Sequence, residues 1–158
     1  MSPHAPRRGF TLVQMLVVIA IMGAIMFRVA PIITDLKRRS ALRAARTELI
    51  AAFSSAQEAA MQKGKTATLT ISGNSITVTA LSGLTGNTVT VLGPIRFADF
   101  GATLTPLTPA PSALSFDARG LVTPATTQTN SYVVTVPGGA DTVCVSGGGL
   151  VLPKGCVL

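Results

Sequence analysis

The sequence predicts an α+β fold in which one long, apolar N-terminal helix packs its C-terminal half on an antiparallel β-sheet domain. Three observations predict it. From Phe10 to Phe27 no side chain is charged. Further on, Leu42, Ala45, Leu49, Ala52, Phe53, Ala56 and Ala60 recur at three- and four-residue spacing, the mark of a helix with one apolar stripe. After Gly64 the pattern changes to short runs rich in Thr, Val and Ile, separated by turn residues, which is the signature of consecutive strands. The expected organisation is a leader over 1–9, a membrane helix segment over 10–33, an amphipathic helix half over 34–63 and a β-rich domain over 64–158.

Each element has its own reason. Residues 1–9, Met-Ser-Pro-His-Ala-Pro-Arg-Arg-Gly, hold two prolines and no apolar periodicity, so they read as a solvated leader outside the fold. The uncharged run that follows is at the lower limit, about 18 residues, for crossing a hydrocarbon core. Ala30, Pro31, Ile32 and Ile33 extend it past Arg28, whose long stem can snorkel to the interface. A mean hydropathy of +0.52 with only 12% charged residues agrees with such a segment. A cleaved secretory signal peptide is the competing reading. Against it, the run exceeds the ~7–15 apolar residues of a signal core, and no clean small-x-small cleavage site follows. Either reading places the rest of the chain across the membrane.

The residues between the stripe positions are helix formers, and Gly64 after Lys63 is a natural stop. A single helix from Phe10 to about Lys63 would run ~80 Å. A domain of ~95 residues cannot bury all of that, so its first half needs lipid or neighbouring subunits. Pro31 removes an internal hydrogen bond and is expected to kink the helix between its two halves.

Beyond Gly64, Thr66–Ile71 and Ile76–Thr79 flank Ser72-Gly73-Asn74-Ser75 as a hairpin. Further strands are expected over 88–92, 95–97, 114–116, 132–136, 142–146 and 150–152. Leu104-Thr105-Pro106-Leu107-Thr108-Pro109-Ala110-Pro111 is too rich in proline for a central strand and reads as an exposed loop. No internal repeat stands out.

Candidate chemistry is sparse. The only histidine, His4, lies in the leader, so the domain lacks the commonest general base and metal ligand. Asp99, Asp117 and Asp141 are too scattered for a calcium loop, and Ser115, Ser131 and Ser146 have no base nearby in sequence. No catalytic residue, metal site or cofactor is expected; the chain reads as a structural protein, with a membrane-anchored enzyme the disfavoured alternative. Cys144 and Cys156 are the two cysteines. In an oxidising compartment they are expected to pair, closing a short loop worth about 3 kcal/mol, against the alternative of two free buried thiols. The net charge is +7, or +5 without Arg7 and Arg8, compatible with an anionic partner without demanding one. Arg39, Arg43 and Arg46 lie at i, i+4 and i+7 and form one basic stripe, with Lys37 and Arg38 beside it. Two readings stay open: contact with phosphates of nucleic acid or lipid headgroups, or a solvated face that meets acidic neighbours.

The segment Arg7-Arg8-Gly9-Phe10-Thr11-Leu12-Val13-Gln14-Met15-Leu16-Val17 resembles the processing site of type IV prepilins and type II secretion pseudopilins. The resemblance implies that a membrane prepilin peptidase cuts after Gly9 and methylates the new amino-terminal Phe10. It also implies a single-pass protein of the bacterial inner membrane, its C-terminal domain exported, that assembles with other pilin or pseudopilin subunits. Arg7 and Arg8 on the cytoplasmic side fit that orientation. Pro31 falls where many pilins carry a helix-kinking proline. Leu114-Ser115-Phe116-Asp117-Ala118-Arg119-Gly120 and Val143–Leu152 are similar to strand-and-turn signatures of H-type pseudopilins and FimT-like minor pilins. Some FimT-like pilins bind DNA during uptake through a basic C-terminal motif; this tail, Leu152–Leu158, offers only Lys154.

One position departs from the pattern. Gln14 stands where the family usually has a glutamate that pairs with a neighbouring subunit's amino terminus. An amide accepts a hydrogen bond but brings no charge, and an unpaired buried carboxylate is costly. Glutamine therefore suits a subunit at a filament tip or in a priming complex. A tolerated substitution in an ordinary minor subunit is the alternative, and both remain open.

Overall fold

The computed structural model describes residues 11–82, 86–107, 110–124 and 129–152, excepting the side chains of 27–31. Helix α1 (Leu12–Lys63) ends as the sequence requires. Gly64 has φ +58, the left-handed conformation that ends a helix without a Cβ penalty. The Gly64 N–H then donates to the Met61 carbonyl at 3.3 Å and the Lys65 N–H to the Ala60 carbonyl at 3.2 Å, so the last carbonyls keep partners. Contacts divide the chain into two units, Met1–Lys37 and Arg38–Leu158. In the first, every described side chain is exposed.

In the second unit the predicted stripe is the core. Ala45, Leu49, Ala52, Phe53, Ala56 and Ala60 are fully buried. They share one buried cluster with apolar residues of the strands, and the Phe53 ring meets that of Tyr132. Nine strands follow: β1 (Ala67–Ser72), β2 (Ser75–Leu81), β3 (Thr88–Arg96), β4 (Thr103–Leu107), β5 (Ala113–Phe116), β6 (Val122–Thr123), β7 (Asn130–Val136), β8 (Gly139–Val145) and β9 (Val151–Leu152). They make two antiparallel sheets, ordered β3-β2-β1-β5-β6 and β4-β7-β8-β9. Alternate residues point to the core, as the two-residue period dictates: Ala67, Leu69 and Ile71 on β1, and Tyr132, Val134 and Val136 on β7.

The sequence misjudged four places. The proline-rich stretch is not an exposed loop throughout: Thr103–Leu107 forms β4, with Leu104 buried and Pro106 opposite Tyr132. It is an edge strand, where a proline can turn its missing N–H away from the ladder. The expected strands at 88–92 and 95–97 are one strand, β3, which absorbs Gly93-Pro94 as a slip of register against β2. Phe97 leaves that strand and starts a 3-10 turn, Phe97–Phe100, where its buried ring meets the Phe100 ring at 6.3 Å between centroids. The two-residue β6 is too short to carry a pattern.

Two fastenings join the sheets. At one end Asn74, in the β1–β2 turn, donates from Nδ2 to the Ala102 carbonyl at 2.7 Å. Its Oδ1 accepts the Leu104 N–H at 2.8 Å, and its carbonyl accepts the Phe97 N–H at 2.9 Å. At the other end the Val122 N–H of β6 donates to the Gly147 carbonyl, beyond β8, at 3.2 Å.

Candidate assembly interface

Most of the exposed large apolar side chains among the described residues lie at the start of α1. Thr11 caps it: the Gln14 N–H donates to Thr11 Oγ1 at 3.3 Å and to the Thr11 carbonyl at 3.0 Å. Thr11-Leu12-Val13-Gln14 is thus the Ser/Thr-x-x-Glu/Gln pattern of a capping box with its threonine half formed, and Gln14 is the exposed third helical residue. Beyond it Leu12, Val13, Met15, Leu16, Val17, Val18, Ile19, Ile21, Met22, Ile25 and Met26 are all 48–78% exposed. They occupy every side of the helix. A helix apolar all round is covered by lipid or by other helices, since each such side chain gains about 1.5–3 kcal/mol on full burial. Among the described residues no helix is long and apolar enough to cross a membrane. The uncharged stretch whose side chains are described, Thr11–Met26, stops short of the roughly 20 residues a span needs. Gly9 and Phe10, the expected processing junction, lie outside the described residues; Pro31 lies within α1, its side chain outside them.

The basic stripe divides. Arg39 and Arg43 are exposed, with no acidic partner among the described residues. Arg46 turns inward instead: its Nη1 meets Asp141 Oδ2 at 2.9 Å, the two side chains being 19% and 29% exposed. Asp141 Oδ1 also accepts the Thr142 N–H at 2.9 Å, so the carboxylate is held by β8 itself. Arg46 therefore belongs to the link between α1 and β8 and not to the accessible stripe. Sequence spacing placed it on one face with Arg39 and Arg43 but cannot tell where that face dips under a sheet. Arg46→Ala is expected to lower unfolding free energy by about 1.5–3 kcal/mol, as for a charge-assisted bond that leaves a half-buried acid behind. Arg39→Ala with Arg43→Ala should stay within about 0.5 kcal/mol per site. Denaturant titration of the three proteins separates the two roles.

Cys144 is fully buried and is not a free thiol, while Cys156 lies outside the described residues. Its neighbours Val143 and Val145 belong to the core under the helix, so by alternation Cys144 points to the opposite face of its sheet.

A second junction was not expected from sequence. Gln57 of α1 donates from Nε2 to the Gly120 carbonyl at 3.1 Å. The Asp117 carboxylate shapes that turn by accepting the N–H groups of Arg119 and Leu121 at 2.8 and 2.9 Å. Gly149, at φ +80, passes so close that an added Cβ would lie 2.4 Å from the same carbonyl and 3.0 Å from Gln57 Nε2. The segments Leu114–Gly120 and Val143–Leu152, far apart in sequence, thus meet on one helical glutamine. Beside this knot, Ile50, Ser54 and Gln57 with residues 148–151 line a groove of ≈ 380 Å³ that holds no ionisable side chain.

Neither a protein-family profile nor a curated protein matches the chain. Solved structures do. The type IV minor pilin FimU of Pseudomonas aeruginosa PAO1, in one crystal form, superposes with a TM-score of 0.57 at 20% identity, over 77% of this chain and 93% of that one. A second crystal form of FimU gives 0.54 at 20% identity, over 73% and 94%.

Proposed function

Starting from the type IV pilin-like fold of this chain, we propose that it is a minor pilin or pseudopilin: a structural subunit, not an enzyme, that joins or primes a type IV pilus or type II secretion pseudopilus. The observation that carries the reading is the collar of exposed apolar side chains from Leu12 to Met26. On this reading a prepilin peptidase cuts between Gly9 and Phe10 and methylates Phe10. The helix then holds the protein in the bacterial inner membrane, domain exported, until neighbouring subunits replace the lipid. Cys144 pairs with Cys156 and pins the chain end; the buried outer-face position of Cys144 supports that bond.

The test is mass measurement on the membrane-extracted protein. The expected form lacks residues 1–9 and carries one added methyl group; retention of Met1–Gly9 refutes processing. Gln14→Glu then asks where the subunit sits. Glutamate serves a capping box as well as glutamine, so the helix start is preserved and charge alone changes. A tip or priming subunit gains nothing from the variant, whereas markedly better incorporation along the shaft counts against that position.

A second reading, DNA binding during uptake, rests on the two exposed arginines, Arg39 and Arg43. Losing Arg46 to Asp141 narrows the basic surface and leaves this the weaker reading. Salt-dependent gel retardation by the full chain, abolished in the Arg39→Ala, Arg43→Ala double variant, would support it.

A further inference from the structure

The outer edge of the five-stranded sheet offers a surface that the assembly reading does not use. Strand β3 is last in the order β3-β2-β1-β5-β6, and Thr88, Val89, Thr90 and Val91 are all exposed, the valines at 43% and 40%. No residue from Asn87 to Ile95 is charged. Proteins usually blunt such edges with lysine, proline or bulges. Here the blunting begins late: the register against β2 slips between Thr79–Thr90 and Val78–Leu92, and again before Ile76–Ile95, across Gly93-Pro94. Residues 87–90 remain regular and unguarded.

The hydrogen-bond phase of this segment is set by its loop. The Ser82 N–H donates to the Asn87 carbonyl at 2.7 Å, which makes 82 and 87 a bonded pair. Bonded and non-bonded pairs alternate in an antiparallel ladder, so Ala80–Val89 is bonded, while Leu81–Thr88 and Thr79–Thr90 are not. In agreement, Leu81 gives its N–H to the Thr66 carbonyl on the β1 side, at 3.2 Å. Thr88 and Thr90 therefore turn their N–H and C=O groups toward the open edge.

We propose that this edge pairs with the same edge of a second copy of the chain, antiparallel, with the two-fold axis through Val89. Open backbone groups on Thr88 and Thr90, one residue either side of Val89, match the spacing that such an axis requires. Thr88 exchanges hydrogen bonds with Thr90 of the second copy, and Thr90 with its Thr88. Val89 then faces Val89 of the second copy as a non-bonded pair, where Cα atoms come within ~4.5 Å. The side chains agree with the backbone: valine meets valine on one face, and threonine meets threonine on the other, pairs that stabilise adjoining strands. Arg96, the nearest charge in sequence on this strand, lies beyond both register slips, so no cation opposes its own image. The first slip also ends the ribbon after Thr90, at about four residues, which makes the dimer small, reversible and closed instead of a growing sheet.

The full chain in lipid vesicles tests this by disulfide trapping, with the natural cysteines retained and the unsubstituted chain as control. Val89→Cys is expected to yield a reducible dimer under mild oxidation. Thr88→Cys, also exposed, should yield at least about tenfold less, because its two copies are two residues out of register and beyond bridging distance. Adding Thr90→Pro to Val89→Cys should abolish the dimer without changing the melting temperature, since the N–H removed makes no bond to β2. Equal trapping at 88 and 89, or none at 89, overturns the pairing. Trapping of Val89→Cys solely onto a different protein overturns it in favour of an unlike strand. The result does not depend on leader cleavage or filament growth, so it stands apart from the assembly role.

Discussion

Phe53→Ala should lower the free energy of unfolding by about 3–5 kcal/mol, the cost of a large cavity in a core that cannot collapse. The ring is fully buried and rests on Tyr132, with centroids 5.2 Å apart and planes tilted by 47°. Its helical neighbours in the stripe, Ala52 and Ala56, are too short to reach into the space it leaves. Tyr132 is fixed from both ends, since its hydroxyl donates to the Pro111 carbonyl at 3.2 Å. A domain of this size has only about 5–15 kcal/mol in total, so the loss is a large part of its stability. Denaturant titration of the full chain checks it; a loss under ~1 kcal/mol would mean that the helix does not rely on this contact. The same burial pushes the Tyr132 phenol well above its ordinary range. Its neutral form is the one that the fold favours, so this contribution is whole below the ordinary phenol pKa of about 10 and is lost as pH rises beyond it.

Asn74→Ala is expected to cost about 2–4 kcal/mol, far more than an exposed turn residue should. The substitution strands the Leu104 N–H and the Ala102 carbonyl, both of which bond the Asn74 side chain, and so loosens β4 from the β1–β2 turn. Two further variants separate this from a turn preference. Asn74→Asp keeps the acceptor for Leu104 but sets a carboxylate oxygen against the Ala102 carbonyl, while Asn74→Gly suits a turn but removes both bonds. If the side chain joins the sheets, all three variants melt early. If only turn geometry matters, Asp and Gly remain near the parent, and a melting temperature within ~2 °C for either sinks the fastening.

Most of the architecture was legible where burial imposes a period. The stripe from Ala45 to Ala60, the stop at Gly64 and the hairpin around Gly73-Asn74 are local patterns, and the structure contains each of them. What could not be read depends on residues distant in sequence. Asn74 looks like a turn residue because turns favour asparagine; its bonds to 102 and 104 exist only once β4 has docked. Gln57 looks like one more polar helical position until Gly120 and Gly149 close on it. Arg46 shares its spacing with Arg39 and Arg43, and only the arrival of Asp141 distinguishes it. The proline rule failed at β4 for a related reason: sequence says what a proline forbids in a central strand but not which strand lies at an edge.

The two fastenings bear on the order in which the chain can fold. The helix stripe is made first, yet its cover includes Val143 and Val145, and the second fastening waits for Gly147, near the end of the sequence. A chain synthesised from its amino terminus therefore presents Leu49, Phe53, Ala56 and Ala60 bare until its last strands have been made. Local pairing of β1 with β2 can shield part of that stripe early, while the remainder must wait for contacts about a hundred residues away, the slow and aggregation-prone kind. The interval between synthesis of the helix and completion of β8 is thus the period in which this protein most needs a chaperone to cover the stripe.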